Sequence, residues 1–227
     1  MKSHLHRSMS LMATANEMHQ QHRGGSQRGE PAWDLALLYP RQGSWTESDY
    51  LGLSSMGMIE LTDGSIEVLP MPTKAHQRIV RFLFLLLQRW IDTSEVGEVF
   101  FAPMPVRLGP GRFREPDIVV LLESGSEFRG HPQGADLVME VVSPGEENRR
   151  RDLEIKPVEY ASAGIKEYWI IDPEKAEIHV LHVPQAATGD TAARYAVHQV
   201  FRGDEAACSS LLAGFQVAAR EVLDAAG

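Results

Sequence analysis

The sequence predicts an α/β (α+β) protein, with helices packed on a sheet whose middle strands are buried on both faces. Three observations predict this. Residues 118–122 and 137–142 are short, β-branched, apolar runs bounded by Pro and Gly, and 168–171 form a third. Residues 73–93 switch to a helical period. Asp63-Gly64, between two alternating segments, is a strong hairpin signal. At 227 residues and 43% hydrophobic content the chain is long enough for one sizeable core.

Taken in order, residues 1–30 are rich in His, Gln, Arg, Ser and Gly and cannot bury enough apolar surface to fold alone. They are expected to be a disordered, dispensable extension, with the folded domain spanning 31–227. His4, His6, His19 and His22 carry little weight as metal ligands. Thr46-Glu47-Ser48-Asp49 is a helix-capping sequence and predicts a short helix over 47–53. Segments 58–61 and 65–69 pair around Asp63-Gly64, and alternation puts Ile59 and Leu61 on one face and Glu60 on the other. Glu60 and Glu67 then read as solvated strand residues, with a site role for Glu60 the rival reading.

In the helix over 73–93, Ile79, Phe82, Leu83, Leu86 and Trp90 form the apolar face. His76, Arg78, Arg81 and Arg89 fall on the polar side. His76, in the first turn, reads as a surface or cap residue or as a group facing a metal or phosphate at the helix start. Residues 99–101, 104–108 and the Gly109-Pro110-Gly111 turn predict a strand and a hairpin leading to Pro116-Asp117, where proline fixes the chain's entry. Residues 125–134 are a polar loop. After the strand over 137–142 come Ser143-Pro144-Gly145 and the basic run 149–151. Pro157 then predicts a helix start, with Lys156 at its entrance and Gly164 at its end. Residues 168–172 and 176–181 form another hairpin, 195–201 an edge strand, and 211–212 with 215–223 a closing helix. No internal repeat and no glycine-rich phosphate loop is present.

Composition narrows function. The net charge of −9 does not advertise nucleic-acid binding by the whole surface, so such contact needs a local basic patch. The single Cys208 excludes an internal disulfide framework and suits a reducing compartment. The longest apolar run, residues 82–87, is far short of the roughly 20 residues of a membrane span. With no signal-type segment at the start, a cytoplasmic protein without membrane contact is expected.

Two acids and an amine stand out. Asp117 opens one apolar strand, Glu140 lies inside the next, and Lys156 follows. A carboxylate within an apolar strand is costly unless a positive group balances it, and a divalent metal near Lys156 is the simplest balance. Two carboxylates suit Mg²⁺ with water positions left open. Such an ion polarises a phosphoryl oxygen and acidifies water, while a lysine steadies developing charge. The bland alternatives are a turn cap for Asp117, neutralisation of Glu140 by Arg107 or Arg114, and a solvated Lys156. Ser143 lacks the G-x-S-x-G context of a nucleophile and reads as a turn residue.

The order Pro116-Asp117, Glu140, Lys156 resembles the PD-(D/E)XK nuclease superfamily. Glu60-Leu61-x-x-Gly64, His76, Pro116-Asp117, Glu140 through Pro144, Arg151-Asp152, Lys156, Tyr160-Ala161, Gly164 and Glu167-Tyr168-Trp169-Ile170-x-Asp172 are more closely similar to the Uma2 family of restriction-endonuclease-like bacterial proteins. The resemblance runs from about Trp45 to the C-terminus. It implies a central mixed sheet flanked by helices and an endonuclease using Mg²⁺ or Mn²⁺ on nucleic acid, DNA first, as a homodimer. In that reading Asp117 and Glu140 are metal ligands with the Val141 carbonyl as a third. Lys156 assists catalysis, and Glu60 and His76 are further site residues. One departure matters: the superfamily's lysine stands two residues after the acid, where this chain has Val142. Lys156, on the following helix, is the replacement. The rival readings are an inactive nuclease-fold module that binds nucleic acid or protein, and hydrolysis of a small phosphorylated substrate.

Overall fold

The computed structural model describes residues 39–53, 58–122, 130–189 and 191–227. The expected extension over 1–30 and residues 125–129 of the polar loop lie outside them. Helix α1 (Glu47–Leu51) starts at a reciprocal capping box between Thr46 and Asp49. Strands β1 (Ile59–Thr62) and β2 (Ser65–Val68) pair with Thr62 opposite Ser65, leaving Asp63 and Gly64 as a two-residue turn, both at positive φ. A Cβ on Gly64 would lie 2.7 Å from the Gly43 carbonyl, so only glycine fits there. Strands β4 (Val106–Gly109) and β5 (Arg112–Arg114) complete a four-stranded sheet, β2-β1-β5-β4. Trp45, Tyr50, Ile59, Leu61 and Phe113 form its own small core.

The main sheet has six strands in the order β10-β9-β8-β7-β6-β3. These are β3 (Glu98–Phe101), β6 (Ile118–Leu121), β7 (Leu137–Val141), β8 (Glu167–Asp172), β9 (Glu177–Gln185) and β10 (Arg194–Phe201). β7 and β8 are parallel and every other pair is antiparallel, so the sheet is mixed as expected. The apolar runs of β7 and β8 are buried at every position, because both faces are covered. Helix α2 (Lys74–Ser94) packs on one face through Ile79, Leu83 and Leu87. The other face takes the crossover that joins β7 to β8. Gly97, ahead of β3, has φ +83 and would bring a Cβ within 2.2 Å of the Leu121 carbonyl, so the close approach of β3 to β6 demands glycine.

Three sequence expectations are corrected. The helix carrying Tyr160 does start beside Pro157 with Lys156 at its entrance, but it is not a separate helix: α3 (Glu146–Arg150), a π-helical turn (Arg151–Ile155) and α4 (Lys156–Ser162) run on as one helical segment. In its widened turn the Lys156 N–H bonds to the Arg151 carbonyl, five residues back. A proline in a regular helix clashes with the carbonyl four residues earlier, and the wider turn ahead of Pro157 gives its ring space. The closing segment is mostly not helical either. Strands β11 (Ala206–Cys208) and β12 (Gln216–Ala218) form a hairpin and only α5 (Ala219–Asp224) is helix. Finally, the buried face of α2 is rotated from the expected one. Phe82, Leu86 and Trp90 lie at its edge, and His76, one turn before Ile79, falls on the core side.

Buried polar groups tie these parts together. Glu167 is fully buried and accepts the Trp169 indole N–H at 2.6 Å, the Ser210 N–H and hydroxyl at 2.8 and 2.7 Å, and the Leu211 N–H at 3.0 Å. Asp172, also fully buried, pairs with Arg149 of α3. On β9 and β10, His179 Nδ1 meets His198 Nε2 at 2.9 Å. Burial holds both rings below the ordinary histidine range, with the His198 charge adding to the effect on His179.

Two outcomes follow from this wiring. Glu167→Ala strands three donors, the Leu211 N–H keeping the Ser209 hydroxyl oxygen, and should remove about 2–3 kcal/mol, read as a lower urea midpoint with an unchanged slope. The histidine pair folds neutral, so its contribution is present above the unfolded pKa and is lost as pH falls through the folded values. Melting temperature should therefore drop between about pH 7 and about pH 5, and the drop should shrink in His198→Gln.

Candidate functional site

The β6–β7 register fixes the two acids. Ile118 opposes Met139, and continuing this antiparallel ladder by one step brings Asp117 beside Glu140, on the face that also carries Val119 and Val138. Asp117 Oδ2 accepts the Val141 N–H at 2.8 Å and lies 3.0 Å from His76 Nε2, which reaches the same end of the sheet from the first turn of α2. Glu140 is 4% exposed and accepts the Tyr160 hydroxyl at 2.6 Å.

Lys156 comes down from α4, 2% exposed, with Nζ 2.8 Å from Glu140 Oε1 and 3.0 Å from Asp152 Oδ1. Asp152, Lys156 and Tyr160 recur every four residues through the π turn and share one face of the segment. The small sheet supplies the fourth side. Glu60 is buried, with Oε2 3.6 Å from Arg114 Nη1, and Oε1 accepts the Glu115 N–H at 3.3 Å. Arg114 grips Glu159 of α4 through two bonds of 2.8 and 2.7 Å, and Arg151 reaches Glu67 of β2 at 2.9 Å. These two bridges clamp the crossover against the hairpin.

The acids and Lys156 face a cavity of about 30 Å³, also lined by His76, Glu115 and Ser143. That exceeds the roughly 10–15 Å³ a water requires. Burial works against charge on Lys156, but Asp152, Glu140 and Glu60 outweigh it and hold the amine well above the usual lysine range. Burial, with Asp117, Asp152 and Glu60 adding to it, pushes the Glu140 carboxyl up, against the pull of Lys156. Burial disfavours the charged His76 ring, yet Asp117 tips the balance, so its pKa lies above the ordinary value. Glu115 is pushed up to about 7 by burial and by Glu60.

All five side chains singled out in the sequence therefore meet: Asp117, Glu140 and Lys156 at the cavity, His76 on Asp117, and Glu60 just behind. Glu60 does point away from Ile59 and Leu61 as the alternation predicts, but that face is covered by the crossover and is not solvated. Arg107 and Arg114 do not neutralise Glu140: Arg107 pairs with Glu47, and Arg114 with Glu159 and Glu60. Glu115, Asp152 and Tyr160 were not assigned to the site from sequence. The four-residue spacing of 152, 156 and 160 carries the signal for two of them, hidden by placing the helix start at Pro157.

As a donor set, two carboxylates and the Val141 carbonyl are the hard oxygens that Mg²⁺ or Mn²⁺ prefers. Glu60 Oε2, Glu115 Oε2 and His76 Nδ1 are buried with no hydrogen-bond partner among the described residues, which leaves polar capacity around the cavity. Among the described residues, however, no three His, Cys, Asp or Glu side chains are arranged to hold an ion as they stand. The carboxylates are instead engaged by Lys156, His76, Tyr160 and a backbone N–H.

Residues 47–221 match the Uma2 family, described as "Putative restriction endonuclease". The chain belongs to the Uma2 family. Its fold is similar to that of a crystal structure from Anabaena variabilis ATCC 29413 described as "a putative nuclease belonging to DUF820", with a TM-score of 0.64 and 17% identity, covering 80% of this chain and 98% of that one. No curated protein matches the chain. No described helix is long and apolar enough to cross a membrane.

In this Uma2 protein the amine is structurally demanding. Lys156→Met leaves two buried carboxylates unpaired and should remove about 3–5 kcal/mol at neutral pH. The loss should shrink as pH falls and the stranded acids protonate, and adding Glu140→Gln should recover part of it. Chemical denaturation of the variants at several pH values reads all three effects.

Proposed function

We propose that this Uma2 protein is a metal-dependent endonuclease that hydrolyses phosphodiester bonds, with DNA as its substrate. The observation that carries the reading is the buried Lys156 ammonium held between Glu140 and Asp152 at a cavity shared with Asp117. An enclosed cation beside a pair of acids is costly as mere scaffolding and suits an anionic substrate.

In this reading Asp117, Glu140 and the Val141 carbonyl hold Mg²⁺ or Mn²⁺, which when bound supplies charge neutralisation at phosphate and a more acidic water. Lys156 acts as a fixed positive charge and not as a base, because its neighbours keep it protonated. It balances negative charge that builds on the phosphoryl oxygens. Tyr160 and Asp152 are positioning residues: one orients the Glu140 carboxylate, the other holds the amine. His76 fixes Asp117 from α2. Glu60 adds negative charge behind Lys156 and helps keep the amine charged. Glu115, pushed up to about 7 and with an unpartnered Oε2, is the group suited to take a proton from an attacking water near neutrality. The homodimer and the cytoplasmic setting rest on the family resemblance and composition.

A second reading has its own support. The engagement of Asp117 and Glu140 by internal partners, with a net charge of −9, suits a nuclease-fold module that binds nucleic acid or protein without turnover.

Cleavage of supercoiled, linear duplex and single-stranded DNA separates the two. The endonuclease requires Mg²⁺ or Mn²⁺, stops on chelation, and loses at least about a hundredfold in rate in Asp117→Asn. The isosteric change keeps the volume, and circular dichroism confirms the fold. Binding without cleavage under either ion establishes the module instead.

A further inference from the structure

The exposed side of α2 is locally basic although the chain as a whole is acidic. Lys74, Arg78 and Arg81 project from successive turns, and Phe84, Leu85 and the Phe101 ring of edge strand β3 lie beside them around a groove of about 580 Å³. Leu85 is 58% and Phe101 56% exposed, which is large for apolar side chains at the edge of a packed sheet. Phe84 meets Phe101 edge to face at 5.0 Å between centroids, so the Phe101 ring is held on one side while more than half of the side chain stays exposed. Lys74 and Arg81 form no ion pair or hydrogen bond with any described residue, and Arg78 spends one donor on the Ala226 carbonyl.

The groove also lies on the same side of the helix start as the acid cluster, through shared lining residues. Gln77, next to His76, lines both this groove and a neighbouring depression of about 660 Å³. That depression shares Glu115, Pro70 and Pro72 with the cavity that holds Asp117, Glu140 and Lys156.

We propose that this groove binds single-stranded nucleic acid and leads it to the acid cluster, with phosphates on Lys74 and Arg81 and bases stacked on Phe101; the proposal rests on the nuclease reading for the fate of the strand, not for its binding. The chemistry points to a single strand and not to a duplex. Exposed aromatic rings gain from base faces only when those faces are unpaired, whereas a duplex offers phosphates to the cations and leaves the apolar wall without a partner. The cations would attract an acidic peptide as well, but the exposed Phe101 ring beside the row suits the flat π face of a base, which such a peptide does not offer.

The test uses the full chain, labelled oligo-dT and a duplex of equal length, without divalent ions so that nothing is cleaved, read by fluorescence anisotropy over a range of salt. Expected results are tighter binding of the single strand, weakening of at least about fivefold by Phe101→Ala, recovery in Phe101→Tyr, and little change for the duplex. Lys74→Ala with Arg81→Ala should flatten the slope of log K against log salt by about 1.4, since each phosphate that a cation neutralises on a single strand adds about 0.7 to that slope. Equal or tighter binding of the duplex, or no effect of Phe101→Ala, overturns the proposal. So does a loss of self-association in Phe101→Ala with oligo-dT binding intact, which makes this face a contact between copies. Cleavage assays with Mn²⁺ keep the two ideas separate. Groove variants that behave as expected with no cleavage by the unaltered protein sink the nuclease reading alone. Cleavage that needs Asp117 but ignores Phe101, Lys74 and Arg81 sinks the groove alone.

Discussion

The interaction on which the rest depends is the buried contact of Lys156 with Glu140 and Asp152. It brings one group from the middle of the sheet and two from the crossover helix into a buried space at the edge of a small cavity, and each is costly there without the others. Around it lie more acids than cations: Glu60, Glu115, Asp117, Glu140 and Asp152 face Lys156, Arg114 and Arg151, with His76 on the margin. Burial first, and that imbalance with it, pushes Glu140 upward, while the surplus of acids holds Lys156 charged. It also explains the helical irregularity. A π turn at Arg151–Ile155 lets one segment carry Asp152, Lys156 and Tyr160 on a single buried face and still accept Pro157.

Within the family pattern the residues divide by physical job. Glu140, Asp117 and Lys156 face the cavity, while Glu167, Trp169 and Asp172 do not. Glu167 collects donors from Trp169 and from the turn after β11, and Asp172 anchors Arg149 at the start of the crossover. Tyr168 donates to the Asp152 carbonyl at 2.9 Å, inside the π turn. The acidic and aromatic ending of the pattern is thus a set of fasteners that hold the crossover and the C-terminal hairpin against β8. The site needs them because Lys156 rides on that crossover.

Much of this was legible in the chain itself. Mixed-sheet strands announced themselves because burial on both faces leaves unbroken apolar runs, and the Asp63-Gly64 turn because both residues sit at positive φ. The acids and Lys156 were legible because charged groups flanked by apolar strands need an explanation. What sequence did not yield were features decided by tertiary packing. Pro157 ordinarily starts a helix, and nothing local says that a π turn will admit it seven residues before Gly164. Leu212, Phe215 and Val222 are buried at spacings a helix would also produce, and Gly214 with the hairpin contacts decides for strands. Glu60 looked solvated because strand alternation states which residues share a face, not what covers the other face.

Charge at long range and chemistry at short range oppose each other in this molecule. With a net charge of −9, the protein as a whole repels a polyanion, so the steering that basic nucleic-acid binders enjoy is absent here. Screening at physiological salt confines that repulsion to about 8 Å, inside which local groups decide. In the proposed reading the row of Lys74, Arg78 and Arg81 supplies the local attraction, and Phe101 supplies binding that salt does not weaken. A strand held this way gains most where its bases are free, which selects against ordinary duplex by physics alone. A low-affinity, structure-selective encounter is thus the mode of recognition that an acidic chain with a small basic and aromatic groove can support.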